Sequence, residues 1–164
     1  MKLLERNPDV NITDRDGRTA LFHAIRMHLP EVCLKILELN PKIDVTDKDG
    51  MTALFYSIEQ RMRAVWMKIL ELSPALNVKT SEGKTVLRYG IEQRLSEVCL
   101  KILDHSPDVN IKDKEGRTAL FCSIEQRLSE VCLKILNHSP DLNIKDKEGL
   151  HYSAASNSAF LRCA

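Results

Sequence analysis

Two histidines, His105 and His138, stand 33 residues apart, and five cysteines fall at positions 33, 99, 122, 132 and 163. These are side chains that hold transition metals or act as nucleophiles. Their spacing suits neither task. Zinc ligands must all lie at about 2 Å from one ion, whereas the same position on successive helical units recurs at about one helix diameter, roughly 10 Å. The cysteines contain no CxxC pair, and no histidine with an orienting group can be placed beside Cys122. The recurring pairs Glu59-Gln60, Glu92-Gln93 and Glu125-Gln126 bring one carboxylate each, not the paired acid and base of a hydrolytic site. The expectation is a chain that is not an enzyme, with no catalytic residue, no metal and no cofactor.

Charge narrows the partners. The 164 residues carry a formal net charge of +1, with 29% charged and 43% hydrophobic residues, the balance of a folded chain rather than a disordered one. Lys48, Lys84, Lys114 and Arg117 alternate with Asp49, Glu82 and Glu115. Mixed signs suit protein contacts better than a phosphate track, so neither nucleic acid nor membrane is expected as a partner. No apolar run reaches the 18 or so residues of a membrane span, and the segment from Met1 to Pro8 lacks the apolar core of a signal peptide. An odd cysteine count without a disulfide pattern points to a reducing, intracellular location, cytoplasmic or nuclear.

The elements that position these residues follow from a period. Glycines at 17, 50, 83, 116 and 149 and prolines at 8, 41, 74, 107 and 140 both step by 33, the mark of a repeat array. Full units span 14–46, 47–79, 80–112 and 113–145, with partial units 1–13 and 146–164, all read as one domain. Each unit opens with a turn such as Asp14-Arg15-Asp16-Gly17, in which Asp accepts local backbone N–H bonds and Gly takes a positive φ. In the third unit Thr80 replaces the aspartate. Thr19, Thr52, Thr85 and Thr118 are placed to cap a first helix. In that helix pairs such as Leu120 and Ile124, four apart, share a face. A second helix carries Val131 with Ile135 and Cys132 with Leu136, with Ser96 and Ser129 as expected caps and Pro30 at an early position. Ser139-Pro140 then ends it. Such a pair cannot bury its apolar faces alone, so neighbours must stack.

These residues resemble ankyrin repeats. Gly17-Arg18-Thr19-Ala20-Leu21-Phe22 matches the opening of that family's pattern. Glu97-Val98-Cys99-Leu100-Lys101-Ile102-Leu103 matches its middle, and Ser106-Pro107-Asp108-Val109-Asn110 its end. The implied fold is an all-α solenoid of helix-turn-helix units joined by β-turn, hairpin-like loops. Three departures recur. Ala20, Ala53, Ala119 and Val86 replace a proline. Phe22, Phe55 and Phe121, with Arg88 as the exception, replace a histidine. His28, Arg61, Arg94 and Arg127 replace the glycine between the helices, so that turn must avoid positive φ or accept strain. Leu34, Met67, Leu100 and Leu133 form a column that either rotates inward or faces out as an apolar stripe. Trp66 is expected in the core.

Members of that family bind partner proteins with the turn tips and the exposed side of helix one, on the concave face. Carried over position by position, the implied contact residues at the tips are Arg15, Arg18, Lys48, Met51, Lys84, Lys114 and Arg117. On the helices they are His23, Arg26, Met27, Tyr56, Glu59, Gln60, Tyr89, Glu92, Gln93, Cys122, Glu125 and Gln126. Tyr56 and Tyr89 are the expected anchors, because tyrosine combines area with a polar tip. The function implied is a protein-interaction module or adaptor. The alternative is a structural spacer or self-associating scaffold, joined through open ends at which Tyr152, Phe160 and Leu161 would pack on another copy.

Overall fold

The computed structural model describes residues 9–142. Residues 1–8, which hold most of the first partial unit, lie outside this range. So does all of 146–164, including Tyr152, Phe160 and Leu161. Eight helices, and no strand, occur among the described residues: α1 (Ala20–Arg26), α2 (Pro30–Glu38), α3 (Ala53–Glu59), α4 (Arg63–Glu71), α5 (Val86–Glu92), α6 (Ser96–Asp104), α7 (Ala119–Glu125) and α8 (Ser129–Leu136). This is the all-α stack of paired helices that the period implies.

The chain divides into two compact units, residues 1–74 and 75–164. Within each, a helix pair packs on its neighbour. In the first unit α1 packs on α2, α3 on α4, α1 on α3 and α2 on α4. In the second the same pattern joins α5 to α6, α7 to α8, α5 to α7 and α6 to α8.

The apolar stripes supply the cores. Leu21, Phe22, Ile25, Cys33, Leu54, Phe55, Ile58, Val65, Trp66 and Ile69 are buried in the first unit. Leu87, Ile91, Cys99, Ile102, Leu120, Phe121, Val131 and Ile135 are buried in the second. Phenylalanine in the histidine column therefore packs as an ordinary core residue, as does Trp66. Burial pushes the Cys33 thiol up to about 11 and the Cys99 thiol up to about 12, which keeps both protonated and unreactive. Helix one approaches helix two at a small residue. Ser57 Oγ and Ser123 Oγ donate back to the carbonyls of Leu54 and Leu120, each at 2.8 Å. Cys132 Sγ donates to Ser123 Oγ at 3.0 Å.

The helix starts differ from expectation in two ways. All four threonines hold the extended N-cap conformation, but only the Thr85 hydroxyl accepts a cap bond, from Arg88 N at 3.4 Å. Ser96 and Ser129 are the first helical residues of α6 and α8. The cap position before them belongs to Leu95 and Leu128, and neither of those helices has a side-chain cap. Pro30 begins α2 as its missing N–H allows.

The junction between paired helices accepts the strain rather than avoiding it. His28, Arg61, Arg94 and Arg127 all take a φ of 55–56°. The reason is a Schellman closure at every junction. His28 N donates to Ile25 O at 2.9 Å and Leu29 N to Ala24 O at 3.0 Å, and the same two bonds recur at Arg61-Met62, Arg94-Leu95 and Arg127-Leu128. These bonds satisfy carbonyls that a helix end would otherwise leave open. A left-handed non-glycine residue costs about 1–2 kcal/mol, and glycine's freedom in the unfolded chain takes back about 0.4–1 kcal/mol. Arg94→Gly is therefore expected to raise stability by about 0.5–1 kcal/mol, read as a higher urea midpoint at unchanged slope. A lower midpoint would mean that the arginine side chain contributes more than the strain costs. Asn40, Ser73, Ser106 and Ser139 also have positive φ, 49–54°, just past the second helices.

Candidate functional site

The turn tips are built on one carboxylate oxygen. Asp14 Oδ1 accepts from Asp16 N at 2.8 Å and Arg18 N at 3.0 Å. Asp47 Oδ1 accepts from Asp49 N and Met51 N, both at 3.0 Å. Asp113 Oδ1 accepts from Glu115 N at 3.0 Å and Arg117 N at 2.9 Å. In the third repeat Thr80 Oγ1 does the same more loosely, at 3.3 Å to both Glu82 N and Lys84 N. The tip glycines close each turn at φ 74–85°. Neighbouring tips are tied by the backbone, Lys48 N donating to Asp16 O at 3.1 Å and Lys114 N to Glu82 O at 3.3 Å.

The second carboxylate oxygen determines which way helix-one residues turn. His23 Nε2 lies 2.9 Å from Asp14 Oδ2, and the Tyr56 hydroxyl donates to Asp47 Oδ2 at 2.6 Å. Tyr56 is thereby drawn inward. It is 9% exposed, and its ring meets Phe22 edge-on at 5.5 Å. Burial and the Asp47 carboxylate both push its hydroxyl above the usual tyrosine range. An anchor for a partner protein must be reachable, so Tyr56 is corrected to a core residue. Tyr56→Phe is expected to cost about 1.5–3 kcal/mol, the value of a buried bond to a charged group, measured by chemical unfolding. An unchanged midpoint would show that water replaces the hydroxyl at no cost.

The fourth repeat has Cys122 at this position. It is 2% exposed and burial pushes its thiol up to about 12, so Cys122 also leaves the set of reachable contact residues. Asp113 Oδ2 is held instead by Arg117 Nε at 3.2 Å and by Arg88 Nη2, from the preceding repeat, at 3.3 Å. Burial works to raise the Asp113 carboxyl. The Arg117 amide and the Arg117 and Arg88 guanidinium groups outweigh it and hold the carboxyl below its ordinary value. Arg88 is itself buried and pairs through Nη1 with Glu92 Oε1 at 3.2 Å. The lone arginine in the phenylalanine column is thus an ion-pair residue joining two repeats. Its sequence signal is that it shares a repeat with Thr80, the one turn without an aspartate.

The remaining expected contact residues sort by exposure. Arg15, His23, Arg26, Met27, Lys48 and Glu59 are exposed in the first unit, and Gln93, Lys114 and Glu125 in the second. Arg18, Met51 and Gln60 are half-buried in the first, as are Lys84, Tyr89, Glu92, Arg117 and Gln126 in the second. Tip charges are largely paired among themselves. Lys48 pairs with Asp16, Arg18 with Asp16 at 3.3 Å, Lys84 with Glu82 at 2.6 Å and with Glu92 at 3.0 Å, and Arg117 with Glu115 at 3.2 Å. The Lys48 ammonium holds the Asp16 carboxyl low. The leucine column settles between its two readings: Leu34, Met67 and Leu100 are half-buried and Leu133 is exposed.

Sequence reasoning did not anticipate the asparagine contacts. Asn11 Oδ1 accepts from Lys42 N at 2.7 Å in the first unit. Asn77 Oδ1 accepts from Asp108 N at 3.0 Å and Asn110 Oδ1 from Asp141 N at 2.7 Å in the second. Their signal is the recurrence of Asn at positions 11, 77 and 110. Among the described residues no group of three or more His, Cys, Asp or Glu is arranged to hold a metal ion. No described helix is long and apolar enough to cross a membrane.

A family model described as ankyrin repeats (3 copies) matches residues 1–75 and 28–113. No curated protein matches the chain.

Proposed function

Because this chain belongs to the ankyrin-repeat family, whose repeats generally mediate protein–protein interaction, we propose that it is a non-catalytic adaptor. It presents the turn tips and the exposed side of its first helices to another protein. The observation that carries this reading is the construction of the tips. Each is locked by a carboxylate or hydroxyl on two backbone amides, and Asp16 with Lys48, and Glu82 with Lys114, are tied by the backbone. Yet Arg15, Lys48, Lys114 and Glu125 still point outward. A surface ordered before binding loses little entropy on binding, and side chains that differ from repeat to repeat are what a partner reads. The binding residues are the exposed and half-buried members of the expected set, without Tyr56 and Cys122. No chemical step is involved, and buried free thiols at Cys33, Cys99, Cys122 and Cys132 fit a reducing, cytoplasmic setting.

The test is affinity capture from the source cell, with Arg15→Glu and Lys114→Glu as controls. Both residues are exposed, so the variants are expected to melt like the wild type. Proteins retained by the wild type and lost from the variants support the reading. Identical captured sets, with unchanged melting, overturn the assigned surface.

A further inference from the structure

Lys84 is held in a turn whose first residue offers it no carboxylate. At the equivalent position of the fourth repeat, Arg117 lies against its own tip aspartate, Nε 3.2 Å from Asp113 Oδ2. The third turn opens with Thr80 instead, and a hydroxyl brings no charge to pair with a cation. Helix α5 supplies that charge. Lys84 Nζ lies 3.0 Å from Glu92 Oε2 and 2.6 Å from Glu82 Oε2. Burial works to lower the Lys84 ammonium, and the two carboxylates outweigh it and hold the group above its ordinary value.

Glu92 is itself fixed. Its other oxygen, Oε1, lies 3.2 Å from Nη1 of the buried Arg88, whose Nη2 lies 3.3 Å from Asp113 Oδ2. Ion pairs therefore run unbroken from Glu82 through Lys84, Glu92, Arg88 and Asp113 to Arg117 and Glu115. Glu92 is half-buried with both oxygens committed, so it orients a neighbour and is not itself the group a partner touches. The lysine it holds is different. An ammonium carries three donors; Glu82 and Glu92 take two from Lys84, and one is left.

A second lysine stands close by. Lys114 is exposed, has no ion-pair partner among the described residues, and its backbone N–H is tied to Glu82 O. Lys84 and, more weakly, Lys114 both hold the Glu82 carboxyl below its ordinary value. One spare donor on Lys84 and the open ammonium of Lys114 fit a single carboxylate. The exposed Glu82 and Glu115 beside them repel a longer run of negative charge, such as a phosphate backbone.

We propose that Glu92 is a positioning residue of the partner-binding surface, holding Lys84 so that this lysine and Lys114 together receive a carboxylate side chain of the partner protein. This rests on the adaptor reading and gives the partner's contact residue its chemistry.

Calorimetric titration with a short polyglutamate peptide tests it, at a temperature where every variant is folded. Lys84→Met installs the residue that the second repeat already carries at this position, Met51, and Lys114→Gln alters an exposed side chain. Each is expected to weaken binding about fivefold. Glu92→Gln separates positioning from charge. Removing a negative charge beside Lys84 would by itself tighten binding of an acidic peptide, whereas losing the hold on Lys84 weakens it. The expected result is binding weakened about threefold. Tighter binding by Glu92→Gln overturns the positioning role. A wild type that ignores the peptide, or that binds a single-stranded oligonucleotide more tightly, overturns the carboxylate ligand. The adaptor reading fails by a different result: a set of proteins captured from the source cell that Lys114→Glu and Arg15→Glu leave unchanged.

Discussion

Replacing Asp113 with alanine is expected to cost about 3–5 kcal/mol of folding stability, the range found when one partner of a buried ion pair is removed. The Asp113 side chain is fully buried and that of Arg88 is 5% exposed. Without the carboxylate, the guanidinium of Arg88 keeps only Glu92, and its Nε already finds no hydrogen-bond acceptor among the described residues. The alanine also removes the oxygen that accepts from Glu115 N and Arg117 N. Asp113→Asn keeps such an oxygen and isolates the charge, so it is expected to cost less, about 2–3 kcal/mol. Its pH dependence has a definite sign. The Asp113 carboxyl lies below its ordinary value in the folded chain, so its contribution is complete above the unfolded value of about 4 and fades as pH falls through the folded value. The stability gap between wild type and Asp113→Asn should therefore be constant from pH 5 to 7, on this reasoning about one group, and narrow below about pH 4. Urea titrations at several pH values measure it. A gap that widens on acidification would mean that another group controls this junction.

The second large effect is steric. Gly17 has a φ of +81°, and a Cβ added there would stand 2.9 Å from Thr46 O and 3.3 Å from Asp47 Cα. Both are backbone atoms, at the end of the first repeat and the start of the next turn, and cannot swing aside. Gly17→Ala therefore adds a left-handed penalty of about 1–2 kcal/mol to an overpacking cost of about 1–3 kcal/mol. The expected loss is about 2–4 kcal/mol, as the lower part of that sum allows for local relaxation. Gly83 has a similar φ, +78°, but an added Cβ would meet Lys114 N at 3.2 Å and Asp113 atoms at 3.4 Å. Gly83→Ala should therefore cost less than Gly17→Ala. Equal losses in chemical unfolding would assign the whole effect to backbone conformation and none to the neighbouring turn.

Much of the fold was legible because its determinants are local. Gly17 through Gly116 mark the turns, Pro30 and the threonines mark helix starts, and Leu21 with Ile25 share a face whatever else the chain does. The junctions were only half legible. Arginine at positions 61, 94 and 127 disfavours the left-handed backbone, and it is the paired bonds such as Met62 N to Ser57 O that hold it there against that preference. The candidate site was least legible, since its orientation depends on oxygens far along the chain. Helical spacing puts Tyr56 beside the turn, but the ring turns inward because Asp47, nine residues earlier, leaves Oδ2 unfilled. Arg88 answers a carboxylate 25 residues later, a distance at which no periodicity argument identifies the partner.

Repeats of one shape invite the view that they are interchangeable parts, and the Arg88–Asp113 pair contradicts it. A tandem duplication of residues 80–112 would set the first copy's arginine opposite a second copy of Thr80, which has no charge to offer a buried guanidinium. Duplicating residues 113–145 carries no such penalty, because Phe121 asks nothing of the repeat that follows. The array therefore has a word order: one of its units can be followed only by a unit that opens with aspartate, and gene rearrangements that ignore this rule yield a chain of the right length that folds poorly.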